Sequence, residues 1–312
     1  ETDNSNNKPT IQKKQTTPIN VKNYESIITE KDLERWIEIL NKQEVISVDT
    51  ETSSLNPLEA DLVGISFSYA PNKACYIPIG HKNIKGIKKE IVLKKIKSLL
   101  EDPSIKKVGQ NIKFDFIILR QNNIKIYPLE DTMLISYTLD AGTNRHNLDT
   151  LSEIHLNHKT ISYKELVGSG KNKLNFADVM LDRATEYAAE DADVTLRLYS
   201  YLKERLNDEK LNKIYEIFEK PMIQILSKLE LNGIKVDDAY LKKLSNNFNN
   251  KLNKIEKEIY SIAGKEFNIA STKQLGEIIY NELKITKLKK TKKGSLATSA
   301  NILEDLALAG HK

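Results

Sequence analysis

Asp49 and Glu51 stand two residues apart at the end of a short β-branched run, Val45-Ile46-Ser47-Val48. In an extended chain residues i and i+2 point to one face, so these carboxylates would lie side by side. Adjacent carboxylates at the edge of a core repel each other unless positive charge sits between them. A hard divalent cation such as Mg²⁺, which takes oxygen ligands and is often held by few carboxylates, is the usual partner. Alone, the pair equally describes the solvated end of a strand-to-loop turn. Two further acids, Asp115 and Asp191, lie in separate segments beside core-like sequence. Asp115 is flanked by Phe114, Phe116, Ile117 and Ile118, a poor place for simple solvation. Tyr187 and Asp191 are four residues apart on a helical pattern, which stacks them on one face. Together the four acids match what two-metal phosphoryl transfer requires: ions roughly 3.5–4 Å apart, held mainly by carboxylates, a central one bridging them.

The elements that must carry these acids follow from periodicity. Residues 29–41 predict an amphipathic helix, with Thr29 or Glu30 near its start and Leu33, Trp36, Ile37 and Leu40 on one face. The strand ending at Asp49 comes next. Asn56-Pro57 marks a turn, residues 61–69 alternate as a second strand, and Pro71-Asn72 turns the chain into a third over 74–79. Strands so closely spaced predict an antiparallel meander. Residues 88–100 are helical by spacing, 106–109 form a short fourth strand, and 111–120 begin a helix containing Asp115. Further helices are expected over 131–139, over 147–156 and near Lys164. A long one over 181–206 carries Tyr187, Asp191 and Asp193. His155 and His158 share a face at i, i+3, but no Cys or third His accompanies them, so a zinc site is not expected.

Composition sets the outer limits. A chain of 312 residues is long enough for two domains with cores, and 39% hydrophobic with 29% charged residues suits a soluble globular protein. The formal net charge is only +5, so basicity matters by where it sits. The single cysteine, Cys75, rules out an intrachain disulfide and fits a reducing compartment. No apolar run approaches the roughly 18 residues of a membrane helix, and no signal peptide opens the chain. A soluble, cytoplasmic protein without a membrane partner is therefore expected. Residues 1–22 are rich in Asn, Thr, Lys and Gln and read as a disordered linker, and a start at Glu1 reads as a fragment of something longer. From Lys203 onward there are 21 basic and 15 acidic residues, on a fully helical pattern. Pro221 predicts the start of a helix ending near Gly233. Asp237 and Asp238 cap a long helix whose Leu241, Leu244, Phe248, Leu252, Ile255, Ile259 and Ile262 recur at threes and fours until Gly264. Six lysines crowd residues 284–293 with no acid among them. Such a run is either a solvated loop or a phosphate-contacting tip.

Three motifs carry a resemblance. Val-Asp-Thr-Glu-Thr (48–52), Asn-Ile-Lys-Phe-Asp (111–115) and Tyr-Ala-Ala-Glu-Asp-Ala-Asp (187–193) are similar to those of the 3′–5′ proofreading exonucleases of the ribonuclease H-like superfamily, in the subtype with a tyrosine before the last acid. Ala60-Asp-Leu-Val-Gly-Ile-Ser-Phe, Val108-Gly-Gln-Asn, Asp131-Thr-Met-Leu, Arg145-His, His158-Lys-Thr-Ile and Phe267-Asn-Ile-Ala-Ser-Thr-Lys-Gln-Leu extend it to bacterial DNA polymerase I, family A. The resemblance runs from about residue 22 to the last.

The resemblance implies an α/β fold, a ribonuclease H-like mixed sheet with helices on both faces, followed by an all-α thumb-like segment. It divides the chain into a linker (1–22), an exonuclease domain (23–206) and a truncated polymerase thumb region (207–312). Asp49 would bridge two Mg²⁺ ions, with Mn²⁺ able to substitute; Glu51 and Asp191 would complete one site, and Asp115 would serve the second ion mostly through water. Glu51 and Tyr187 would orient the attacking water. Leu55 and Tyr163 stand where the family wedges side chains against terminal bases; the family commonly has Phe at the latter. Gln110, Asn111 and Arg145 match positions near the bound strand, and Lys289, Lys290, Lys292 and Lys293 would contact phosphates. The implied partners are single-stranded DNA or a frayed primer terminus and, in a full-length protein, the rest of a polymerase chain. No palm or fingers segment is visible before Lys312, so polymerisation is not expected of this fragment. Two rival expectations stand beside this one: a non-catalytic DNA-binding module, and an RNA-trimming exonuclease of the same subtype.

Overall fold

A computed structural model describes residues 17–170, 173–285 and 296–311. The chain enters through a two-residue strand, Glu25–Ser26 (β1), and a helix, Glu30–Leu40 (α1), whose first turn is capped by the Thr29 hydroxyl accepting from the Asp32 N–H. Leu33, Trp36 and Leu40, at the spacing of one helix face, are buried. Val45–Thr52 (β2), Leu62–Ala70 (β3) and Lys73–Pro78 (β4) form the expected antiparallel meander. After helix Lys89–Glu101 (α2), strand Lys106–Gly109 (β5) returns parallel to β2. Helix Lys113–Gln121 (α3) then leads to strand Leu129–Asp131 (β6), parallel to β5, and on to helix Thr132–Asp140 (α4). Leu148–Leu151 (α5), Tyr163–Val167 (α6) and the long helix Leu181–Asp208 (α7) follow.

The sheet order is β1-β4-β3-β2-β5-β6, with β1 parallel to β4. One face is covered by α1, α2 and α3, through a core that joins Leu33, Trp36, Ile96, Leu99, Ile118 and Leu119 to Ile46 and Val48. The other is covered by α7 with α4 and α5, through Val108, Ile135, Leu151, Val194 and Leu198. This is the mixed α/β layer expected from the sequence.

Three details differ from the periodicity reading. β1 and β6 are two and three residues long, too short to show an alternation of their own. The helix expected over 147–156 keeps α geometry only to Leu151. It then widens into a π turn over Ser152–Leu156, which ends at Asn157 with φ 53°. Residues 17–22, inside the segment read as a linker, are held in place: the Arg197 guanidinium donates to the Thr17 carbonyl and the Asn72 amide to the Pro18 carbonyl.

Beyond α7 come Asn212–Ile214 (α8) and Lys220–Asn232 (α9), both on the far side of the boundary expected at 206/207. They belong to the first of two compact units, which runs to Gly233. Tyr215 is buried beside Leu198, Leu202 and Leu206 of α7, and Ile223 joins the core between the sheet and α3.

The second unit begins at Ile234 and, in its described residues, is dominated by helices. Asp237 caps Asp238–Ala263 (α10) by accepting from the Tyr240 N–H, and Gly264 stops it in the left-handed region at φ 73°. Leu241, Phe248, Leu252 and Ile255 of the apolar stripe on α10 stay exposed. Thr272–Gly276 (α11) and Ala300–Leu308 (α12) complete it. An apolar cavity of about 310 Å³ there is lined by Ile259, Ile262, Phe267, Ile279, Leu303 and Leu306 among others.

Gly64 of β3 shows how tightly the layer behind β2 is packed. A β-carbon there would fall 2.0 Å from the Tyr76 hydroxyl and 2.3 Å from its ring, and that ring is fully buried. Gly64→Ala is expected to cost about 1–3 kcal/mol of stability through this overlap. Urea unfolding measures it, and an unchanged midpoint would contradict the packing described.

Candidate active site

The site forms where the sheet divides. β2 and β5 run parallel, but their pairing ends at Ser47↔Val108, and β5 stops at Gly109. From Asp49 onward one edge of β2 is therefore free of that neighbour, while its other edge stays paired with β3 through Asp49↔Ser66 and Glu51↔Gly64. Crevices beyond the carboxyl ends of parallel strands are where α/β sheets bind ligands. Alternation then aims the side chains. Ile46 and Val48 enter the core under α1–α3, and Ser47, Asp49 and Glu51 take the opposite face toward α7. The Ser47 hydroxyl donates to the Ala192 carbonyl at 2.6 Å, fixing α7 against β2 one residue from Asp191. Carboxylate oxygens of Asp49, Glu51 and Asp191 come within 4.8 Å of one another.

Asp115 arrives from the first turn of α3 and occupies the free edge of β2. Its Oδ1 accepts from the Thr50 N–H at 2.8 Å and from the Thr50 hydroxyl at 2.5 Å. The backbone donor that β5 leaves unpaired is thus satisfied by the fourth acid. All four acids and Tyr187 line one cavity of about 790 Å³. Tyr187, one turn before Asp191, donates its phenol toward that carboxylate and packs against Phe176 and Tyr163, with ring centroids 6.1 Å from each.

Of the other sequence candidates, Leu55, Gln110, Asn111 and Tyr163 also line the cavity, Leu55 being 83% exposed. Asn111 sits at φ 57° in the turn between β5 and α3. Arg145 is exposed and outside the lining, although the carbonyl of its neighbour His146 accepts from Gln110 Nε2 at 2.7 Å. Lys289, Lys290, Lys292 and Lys293 lie outside the described residues.

The sequence relationships agree with this geometry. A family model described as 3′–5′ exonuclease matches residues 24–207. The chain belongs to the 3′–5′ exonuclease family. Residues 238–312 match the DNA polymerase family A model, so the second unit is the start of a polymerase domain. DNA polymerase I of Rhizobium leguminosarum is 43% identical over 95% of this chain and 31% of its own length. DNA polymerase I of Pseudomonas aeruginosa is 36% identical over 93% of this chain and 33% of its own length. The chain thus spans about a third of the length of the curated relatives it matches. In fold it is similar to the POL domain of Pol1 from M. smegmatis in complex with DNA primer-template and dNTP, with TM-score 0.66 at 22% identity, over 92% of this chain and 46% of that one.

In this exonuclease domain, burial and mutual repulsion push the acids' proton affinities up. Asp49 is raised from an ordinary 3.8 to about 6 by burial. Burial also raises Glu51, followed by the charges of Asp49, Asp191 and Asp115. Asp115 is raised by burial and Asp49, against the lowering effect of its two bonds from Thr50. Asp191 is raised by burial, Asp49 and Glu190, while Tyr187 opposes the shift. A group of carboxylates this crowded is a divalent-cation site by its chemistry. The oxygen-only donor set around Asp49, Glu51 and Asp191 suits a hard ion, and no His or Cys is among the described residues that line the cavity.

The structure adds supporting residues that the sequence reading did not single out as site residues. The Asp131 carboxylate accepts from the N–H groups of Asn111, Ile112, Met133 and Leu134, pinning the turn into α3 while capping α4. Its place as N-cap of a helix, in Asp131-Thr-Met-Leu, was the available clue. Glu190, fully buried beside Asp191, accepts from His158 Nε2 at 2.8 Å and from the Ile161 N–H at 2.7 Å, which anchors the segment leading to Tyr163. The partner of His158 is thus a carboxylate. The Asn175 amide donates to the Ser53 carbonyl, tying two parts of the cavity lining together at the loop after β2.

A carboxylate whose proton affinity is raised by folding makes the metal-free fold less stable as pH rises through the window between its ordinary and shifted values, here roughly pH 4 to 6. Neutralising one such charge should therefore stabilise the metal-free protein. Asp49→Asn is expected to raise its neutral-pH stability by on the order of 2 kcal/mol and to abolish any thermal shift that a divalent cation such as Mg²⁺ gives the parent. Melting in EDTA and in saturating Mg²⁺, at pH 7.5 and pH 5, reads both effects. A variant that melts no higher than the parent in EDTA at pH 7.5 would contradict the cost of burying the Asp49 charge argued here.

Proposed function

We propose that this chain hydrolyses 3′-terminal nucleotides from single-stranded or frayed DNA, releasing nucleoside 5′-monophosphates, as the proofreading exonuclease of a polymerase I-like enzyme. One observation carries the reading: acids from three distant segments, 49/51, 115 and 191, meet at the free end of β2 in one open cavity. Asp49, Glu51, Asp115 and Asp191 would hold two Mg²⁺ ions, with Mn²⁺ able to replace them. When bound, such ions activate water toward phosphorus and stabilise the leaving oxygen.

The chain's own groups do the rest. Burial and the neighbouring acids push the Tyr187 phenol well above its ordinary range, so it stays protonated and acts as a hydrogen-bond donor. Its place one turn from Asp191 suits it, with Glu51, to orient the attacking water. Leu55 and Tyr163, both in the cavity lining, offer apolar and aromatic surface to the terminal bases, a form of recognition that tolerates any sequence. Gln110 and Asn111 in the cavity lining fit the sugar-phosphate backbone. Arg145 and the lysines 289, 290, 292 and 293 are assigned to phosphates by resemblance. The remaining chain of a longer polymerase is the natural source of the primer end.

Asp49→Ala and Asp115→Ala, assayed on a labelled single-stranded oligodeoxynucleotide with Mg²⁺, should each lower the hydrolysis rate at least about 100-fold. Undiminished shortening in both would end the assignment of the metal-holding acids. Matched RNA and DNA substrates test the sugar: an RNA rate equal to or above the DNA rate would favour the RNA-trimming rival.

A further inference from the structure

The described lining of this cavity is almost wholly acidic or neutral. Among the described residues that line it, Lys173 is the one basic side chain, in a lining that also contributes Asp49, Glu51, Asp115 and Asp191. Four carboxylates should draw an ammonium into a salt bridge, yet no carboxylate among the described residues pairs with Lys173. Its Nζ lies instead over the Tyr163 ring, 5.1 Å from the centroid, within the range of a cation–π contact. The backbone sets this position. The Lys173 N–H donates to the Gly170 carbonyl and the Leu174 N–H to the Val167 carbonyl, while Asn175 is tied to Ser53. Lys173 is thus held in the cavity lining beside the aromatic surface, with no ion pair to a described acid.

Charge balance shows what such a lysine could meet. Four ionised carboxylates and two divalent ions sum to zero, so an incoming phosphodiester strand brings negative charge that the metal site does not offset. We propose that Lys173 is a phosphate-binding residue for the 3′ end of the substrate strand, engaging a phosphate of the terminal dinucleotide whose base stacks on Tyr163. This assignment rests on the exonuclease reading above. On entry of the strand, the ammonium exchanges a weak contact with the ring for a charge-assisted one with a phosphate oxygen. The contact is independent of base identity and contributes to ground-state binding.

The test uses a fluorescently labelled oligothymidylate and the full chain, with Lys173→Ala, Lys173→Arg and Lys173→Glu. Affinity is measured by anisotropy across salt concentrations with Ca²⁺ in place of Mg²⁺, and steady-state hydrolysis is measured with Mg²⁺. Loss of one phosphate contact on a single strand should flatten the log affinity against log salt plot by about 0.7. Lys173→Ala should therefore show that flattening and a KM raised about fivefold at low salt, with kcat within about twofold of the parent. Lys173→Arg should restore both, and Lys173→Glu should bind more weakly than Lys173→Ala. A parent-like salt slope and KM in Lys173→Ala, or a fall in kcat alone, overturns the assignment and leaves the exonuclease reading intact. A parent protein that neither binds nor shortens the oligonucleotide overturns that reading, and this one with it.

Discussion

Like-charge repulsion among four carboxylates is the constraint that the rest of the first unit is built to withstand. Left to themselves, Asp49, Glu51, Asp115 and Asp191 would separate or take up protons, and burial worsens both tendencies. They stay together because each sits on a regular element packed into the core. Two are consecutive same-face positions of a central strand, one lies in the first turn of α3, and one lies within a 28-residue helix packed across the sheet. The packing energy of the two cores opposes the electrostatic strain. A bound cation would turn that strain into affinity, which is the physical sense in which a destabilised cluster is a functional one.

The positioning is done by the strand itself. β2 sends Ser47 to the Ala192 carbonyl of α7 and offers Thr50, through both its N–H and its hydroxyl, to Asp115 of α3. One strand therefore indexes the helices on both faces of the sheet, and it does so on either side of Asp49. Because β5 ends early, the Thr50 N–H is available for this purpose. A longer β5 would have paired that donor and closed the crevice. The open end and the fourth acid have the same structural cause.

Much of this was legible in the chain because the relevant rules are local. The i, i+2 relation of Asp49 and Glu51 and the i, i+4 relation of Tyr187 and Asp191 need only a correct strand and a correct helix. Val45-Ile46-Ser47-Val48 and the long pattern after Leu181 supply these plainly. What periodicity alone could not supply was long-range: that α3 and α7 pack on opposite faces of β2, with Asp115 and Asp191 both reaching its open end. Motif resemblance bridged that gap. It did not identify Glu190 or Asp131, whose partners are mostly backbone N–H groups and whose role depends on burial that composition does not reveal. Nor did it show Lys173, which stands two residues before Asn175 in an otherwise ordinary loop and gains meaning only from the ring beneath it.

Hydrogen bonds and burial carry the packed unit past the end of the family match. The exonuclease match stops at residue 207, but Tyr215 is fully buried, and its hydroxyl accepts from the Asp131 N–H at 3.0 Å. Lys203 and Lys220 flank its ring at 5.0 and 5.8 Å, and Lys220 also donates to the buried Glu130. Asp131 in turn holds the N–H groups of Asn111 and Ile112 at the entry to α3, four and three residues before Asp115. A continuous set of hydrogen bonds thus runs from the segment after α7, through β6, to the turn that aims the fourth acid. α9 reinforces it from the side, where Glu230 pairs with Lys113 of α3. The segment from 212 to 232 is therefore part of the platform on which the site is built, although the motifs that define the family end before it.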